Sequence, residues 1–247
     1  MSDAEIPYKF LIPPAEPGRG TVTSSVTAEL RRAIVTLALK PGEILDKGAI
    51  CERLGVSRFP VSEALARLQA DGLVEIMPQR GSMVSRVRIA DVAEYMLIRK
   101  ALESEAIRAL IARKPEGIDT ELADNLAEQA KAVRRSDREE FHLLDVVFHE
   151  ILFEAMRFGR IRAVIESARA NLDRARRLVL DPRRLAMSLA EHRAIAEGIA
   201  AGDAEAAVAA MRAHIDAVTG EVLAFARTNP EHFADPERIG ETTSPFY

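Results

Sequence analysis

Tryptophan is absent from this 247-residue chain, cysteine occurs once, and aromatic side chains make up 5%. Each scarcity excludes something. With Cys51 alone no intrachain disulfide can form, and a reducing compartment is the simpler setting. Few aromatics beside many Ala, Leu, Arg and Glu favour helices over sheets. No apolar run approaches the roughly 20 residues that a membrane-spanning helix needs. The first residues, MSDAEIPYKFLIPPAEPGRG, lack a basic start followed by an apolar core, so no signal peptide is expected and a cytoplasmic location is. The chain is also short of positive charge, at a net −4. That excludes a protein that coats nucleic acid indiscriminately, but not a small basic module on an acidic body. Residues 21–86 hold nine Lys and Arg against seven Asp and Glu, the sign such a module needs.

What is present is 48% hydrophobic, enough for a substantial core and one to two domains. Residues 1–20, rich in Pro and Gly, read as a flexible N-terminal arm. Within 21–86, Val26, Leu30, Ile34 and Leu37 mark a first helix, ended by Lys40-Pro41-Gly42. A second runs from Asp46 to Leu54 and stops at Gly55. A third, capped by Ser57, reaches Ala70, with Gly72 just beyond it. Two β-like runs follow, Leu73–Met77 and Ser82–Ser85, joined by Pro78-Gln79-Arg80-Gly81. Three helices and then a hairpin is the order of a winged helix-turn-helix. Residues 89–228 carry about six helical patterns with brief breaks and no convincing strand, and read as one all-helical bundle. Residues 229–247 return to Pro, Thr and charge and read as a tail. The expected fold class is therefore mainly α: an N-terminal winged helix-turn-helix, then an all-α bundle.

On the third helix, Val61, Leu65 and Leu68 lie on one apolar stripe. Arg58 and Ser62, four apart, share a different stripe near the N-terminus, where recognition helices contact base edges. Arg58 suits guanine or phosphate, and Ser57 and Ser62 suit phosphate. Pro60 falls in the first turn, where its missing N–H costs nothing. Arg80-Gly81 can press the hairpin tip toward the minor groove. An ordinary capped helix with a solvated arginine is the bland alternative, and the ordered set of elements outweighs it.

Histidine is rare too: only five, at 142, 149, 192, 214 and 232. Asp145 and His149 are spaced i, i+4 and project from one helix face. His192 and His214 lie on two later helices. One carboxylate and three imidazoles converging in a bundle would hold Zn²⁺ or another transition ion. Spacing alone does not choose between His142 and His149.

The segment KPGEILDKGAICERLGVSRFPVSEALARLQADGLVEIMPQRGSMV resembles the winged helix-turn-helix of the GntR family of bacterial transcriptional regulators. LLDVVFHEILFEAM, AEHRAIAEGIAAGDAEAAVAAMRAHI and LIRKALESEAIRAL resemble the FCD effector domain of its FadR-type branch. Together these span roughly residues 23–226. The resemblance implies DNA contacts from Ser57, Arg58, Phe59, Pro60, Ser62, Arg67, Arg80 and Gly81. Two of these depart from the family pattern: Ser62 replaces its usual Arg, and Phe59 its usual Thr. It implies metal ligands Asp145, His149, His192 and His214, with Zn²⁺ first and Ni²⁺ or Mn²⁺ as alternatives. It implies a small organic acid held by the metal, with Arg99 beside it, and a homodimer on double-stranded operator DNA. A family turn of small residue, Gly and Asn is replaced here by Arg157-Phe158-Gly159-Arg160. Asn171 is a further candidate for the effector cavity. The basic cluster Arg174, Arg176, Arg177, Arg183 and Arg184 reads as two helix surfaces meeting at a turn, and Cys51 as a small buried hydrophobe.

Three functions compete on these residues. The first is a transcription regulator that responds to a metal-bound carboxylate. The second is a helical metalloenzyme using Glu150 or Glu191 as general base. The third is a regulator whose four-residue cluster is purely structural.

Overall fold

The computed structural model describes residues 7–14, 21–154 and 172–243. The chain divides into two compact units, residues 1–88 with 229–236, and 89–228 with 237–247.

In the first unit, α1 (Thr21–Val35), α2 (Lys47–Leu54) and α3 (Arg58–Ala70) surround a core that includes Val26, Leu30, Ile34, Ile50, Leu54, Leu65 and Leu68. Asp46 caps α2 by accepting from the amides of Gly48 and Ala49. Ser57 precedes α3 in extended backbone, and its side chain makes no capping bond. Val61, Leu65 and Leu68 are buried as the periodicity requires. Gly72, at φ +70°, ends α3 in the left-handed region, and the Leu73 amide returns to the Leu68 carbonyl at 2.9 Å. The hairpin is β2 (Val74–Met77) against β3 (Gly81–Val84), antiparallel, with Val74 opposite Val84 and Met77 opposite Gly81. A two-residue strand that the pattern does not mark, β1 (Ile44–Leu45), pairs with the other edge of β3, giving the order β1-β3-β2.

Two expected loose ends are built into this unit instead. Over residues 7–14 the expected arm is docked. Leu11 is fully buried, and Ile12 donates its amide to Glu29 at 2.7 Å. Arg32 and Arg53 donate to the carbonyls of Phe10 and Lys9 at 2.8 and 2.9 Å. Burial of one leucine plus charge-assisted bonds to backbone outweighs the disorder that a Pro-rich composition favours. The expected tail, over 229–236, is likewise part of the unit. Val87 and Phe233 form a parallel bridge: the Val87 amide donates to the His232 carbonyl at 3.0 Å and the Ala234 amide to the Val87 carbonyl at 2.9 Å. Arg86 Nε donates to the Glu231 carbonyl at 2.9 Å, and the Phe233 ring is buried.

The second unit is helical: α4 (Ile89–Arg113), α5 (Ile118–Arg135), α6 (Arg138–Glu154), α7 (residues 172–179), α8 (Pro182–Ala201) and α9 (Ala204–Thr228). Asp181 caps α8, accepting from the Arg184 amide at 2.7 Å, with Pro182 in the first turn. α8 packs on α9, α4 on α9, and α5 on both α6 and α8. One core cluster joins Ala132, Phe141, Leu180, Leu185 and Leu189. Where α8 approaches α9, a side chain at Gly198 would fall 2.8–2.9 Å from Ala207, so only glycine permits that separation. The packed helices bring Asp145, His192 and His214 into one interior.

Candidate functional site

Asp145 and His149 lie one turn apart on the buried face of α6; His192 is on α8 and His214 on α9. All four are buried, and one ligand atom from each lies within 4.8 Å of the others. Behind the cage, His214 and His192 are hydrogen-bonded through Nδ1, while His149 Nδ1 sits close to a carboxylate without hydrogen-bond geometry. His214 Nδ1 meets Glu191 Oε2 at 2.7 Å, His192 Nδ1 meets Gln129 Oε1 at 2.9 Å, and His149 Nδ1 lies 2.7 Å from Glu103 Oε2. Phe148 stacks on the His192 ring with centroids 4.3 Å apart.

The inward atoms have no such partners. The Nε2 atoms of His149, His192 and His214 are buried without a hydrogen bond, and so is Asp145 Oδ1. Asp145 Oδ2 is in ion-pair contact with Arg176 at 2.5 Å. Buried polar atoms normally find partners, at a cost of about 1–3 kcal/mol each when they do not. Four converging orphans are the arrangement that a nitrogen-and-oxygen cage for a cation requires. The donor set fits a divalent transition metal.

Burial also sets the protonation. It pushes His192 well below its ordinary pKa, lowers His149, and brings His214 to about 4. The imidazoles are therefore neutral at pH 7, the form that ligates. Burial is the largest influence on Asp145 and would raise it, but Arg176 together with His149, His192 and His214 outweighs it and holds the carboxyl well below the usual range. Glu103 goes the same way, to about 2: burial would raise it, and Arg99 and His149 together outweigh burial. Arg99 Nε bonds Glu103 at 2.6 Å, and its Nη2 is buried with no hydrogen-bond partner.

His142, which spacing left as a rival to His149, faces elsewhere, with Nε2 3.6 Å from Asp173 Oδ1. Asn171 and the turn Arg157–Arg160 lie outside the described residues. The basic cluster read as surface is in large part interior: Arg174, Arg176 and Arg184 are buried, and Arg184 pairs with Glu191. Burial lowers Arg174 to about 10. Gln129, Arg176 and Glu191 also neighbour the cluster, and no local sequence pattern places them there. A polar pair at core positions of α5, Asn125 and Gln129, was the one available signal.

On the other unit, Ser57, Arg58 and Ser62 are exposed along one edge of α3, and Phe59 beside them is 72% exposed. Arg80 and Gly81 are exposed at the hairpin tip. Pro60 is buried, unlike its exposed neighbours Arg58 and Phe59. Arg67 is exposed, but in the last turn of α3, lining a shallow depression with Ser24, Thr27 and Arg31 of α1. Cys51 is half-buried, its Sγ 3.6 Å from the Ser57 carbonyl.

Comparison with known proteins agrees with both halves. Residues 22–84 match the gntR family of bacterial regulatory proteins, and residues 94–217 match the FCD domain. A Streptomyces ambofaciens protein named as an HTH-type transcriptional regulator in an unstable DNA locus is 38% identical over 207 residues, covering 83% of this chain and 87% of its own. The HTH-type transcriptional repressor RspR of Escherichia coli (strain K12) is 31% identical over 218 residues, covering 87% and 94%. A solved GntR transcriptional regulator from Rhodococcus sp. RHA1 superposes with a TM-score of 0.70 at 25% identity, covering 82% of this chain and 97% of that one.

Proposed function

This chain belongs to the GntR family of bacterial transcriptional regulators and carries an FCD domain, and from that premise we propose a regulator governed by a metal-held organic acid. A homodimer reads a two-fold operator through Ser57, Arg58, Phe59 and Ser62 on α3 and through the Arg80-Gly81 tip. Arg58 suits a guanine edge or a phosphate, and the exposed Phe59 ring suits a thymine methyl. RspR is named a repressor, and we carry that direction to this chain. Asp145, His149, His192 and His214 would hold a divalent metal, Zn²⁺ before Ni²⁺ or Mn²⁺. When bound, the metal supplies a Lewis-acid anchor for a carboxylate or hydroxyl oxygen. Arg99 offers Nη2 to the acid, and Glu103 keeps that guanidinium in place. Asn171 is carried as a second effector contact. The acid acts by favouring one arrangement of the DNA-binding units over another, to the extent that it binds that arrangement more tightly.

The observation that carries the reading is the orphaned set of inward atoms in the cage. The orphaned Arg99 Nη2 favours an effector site over a purely structural ion. Family membership sets aside the metalloenzyme: the chain is a transcription regulator, not an enzyme. The test is elemental analysis of the purified protein, followed by thermal shift with a panel of small organic acids. Stoichiometric metal is expected in the native chain and none in the His192→Ala, His214→Ala double variant. An acid at a hundredfold its Kd should stabilise the loaded protein by about 2.7 kcal/mol. Full metal content in the double variant would assign the ligands elsewhere.

A further inference from the structure

The three cage histidines are not held alike. His149 and His214 back onto carboxylates, which accept from either imidazole nitrogen without ambiguity. His192 backs onto the amide of Gln129, which can present either its oxygen or its nitrogen. Something must decide which.

The decision starts at a backbone carbonyl. Asn125 Nδ2 donates to the Leu144 carbonyl on α6 at 3.0 Å, and a carbonyl can only accept. That leaves Asn125 Oδ1 facing Gln129, whose Nε2 donates to it at 2.7 Å. Gln129 Oε1 is then the atom toward His192, 2.9 Å from Nδ1. An oxygen there requires the proton on Nδ1 and leaves the Nε2 lone pair facing the cage. The reverse orientation fails at its far end: a flipped Gln129 would force Asn125 to flip and set its oxygen against the Leu144 oxygen. Asn125 and Gln129 occupy the buried stripe of α5 with Leu122 and Ala132, and water is excluded from Gln129 and His192. In such an interior a mismatched pair costs the full desolvation of both groups.

The geometry points to Gln129, oriented by Asn125 from the Leu144 carbonyl, as the positioning residue that fixes the tautomer of His192 and so turns its lone pair into the cage. The relay rests on the metal reading for its purpose, though not for its existence. It runs from the residue adjoining Asp145, through α5, to His192 on α8, tying two ligand-bearing helices to a third that carries no ligand. Gln129 keeps this ligand neutral behind, where Glu103 and Glu191 place carboxylates behind the other two.

The experiment uses full-length protein labelled with ¹⁵N-histidine, stripped of metal with a chelator, and His192→Gln to identify the His192 signals. Nitrogen–proton correlation spectra report which ring nitrogen is protonated. The native chain should show His192 protonated at Nδ1. Gln129→Leu should lose that preference and bind Zn²⁺ about 10–100-fold more weakly in chelator competition. Gln129→Glu retains an acceptor for Nδ1 but cannot donate to Asn125. It should therefore melt at lower temperature while keeping the tautomer and Zn²⁺ affinity near native, a separation that a merely structural role would not produce. A Gln129→Leu protein that still protonates His192 at Nδ1 overturns the relay, as does a native protein with the proton on Nε2. A native protein with the expected tautomer and no Zn²⁺ affinity overturns the metal reading and leaves the relay standing.

Discussion

Arg58 and Ser62 on α3 are four residues apart, and so are Asp145 and His149 on α6. The first pair stands in solvent along one edge, and the second is buried on the inner face of a helical bundle. Identical spacing puts two side chains on one face; it does not say whether that face sees water. What differs is the company. Val61, Leu65 and Leu68 take α3's opposite stripe into the core, so its polar edge stays hydrated and costs nothing to keep. Around Asp145 and His149, the packed helices α4, α5, α8 and α9 strip water from every polar atom, and each must find a partner or wait for one. The exposed edge of α3 is therefore cheap for stability and adaptable, while the buried cluster is costly and preorganised.

Removing Asp145 should separate the two regions most sharply. Asp145→Ala leaves Arg176 buried without its carboxylate, which should destabilise the metal-free protein by about 3–5 kcal/mol in chemical denaturation. A loss near zero would show that water reaches Arg176 and that the cage is not dry. Acidity probes the same contrast. An unfolded histidine takes up a proton near pH 6.5, whereas folded His214 resists until about pH 4. The unfolded chain then binds more protons, so the metal-free protein should be fully stable above about pH 6.5 and lose stability as pH falls toward 4. His214→Gln should flatten that slope in thermal melts across pH; an unaltered slope would place the titration elsewhere. The smallest effect on the fold is expected at the exposed edge of α3. Arg58→Ala should weaken specific DNA binding by roughly 1–3 kcal/mol in gel-shift titration. Its unfolding free energy should stay within about 0.5 kcal/mol of native, because the side chain is exposed. A large loss of stability would mean that the edge packs.

These same contrasts explain what could be read from the chain. α3 was legible nearly to the residue, because apolar periodicity, Gly72 and a solvated edge are all local signals. The four cage residues were legible as a set through family resemblance, since spacing on α6 alone left His142 open. Gln129 was not, because its role depends on a histidine 63 residues away and on the direction of an amide. Arg174, Arg176 and Arg184 read as surface because charge near a turn is usually solvated, yet all three are buried. The docked segments at residues 7–14 and 229–236 look disordered by composition. They are ordered by backbone pairing and one buried side chain each, Leu11 and Phe233, which no period announces.

The bridge between Val87 and Phe233 bears on how this protein is made. The winged unit is written in two passages of the chain, and Arg86 meets Glu231 across 145 residues. A ribosome delivers the first passage early and the second only after the whole helical bundle has been translated. The module at the start of the chain is thus among the last to be finished, and a nascent chain cannot seat Phe233 until the helical bundle has already emerged.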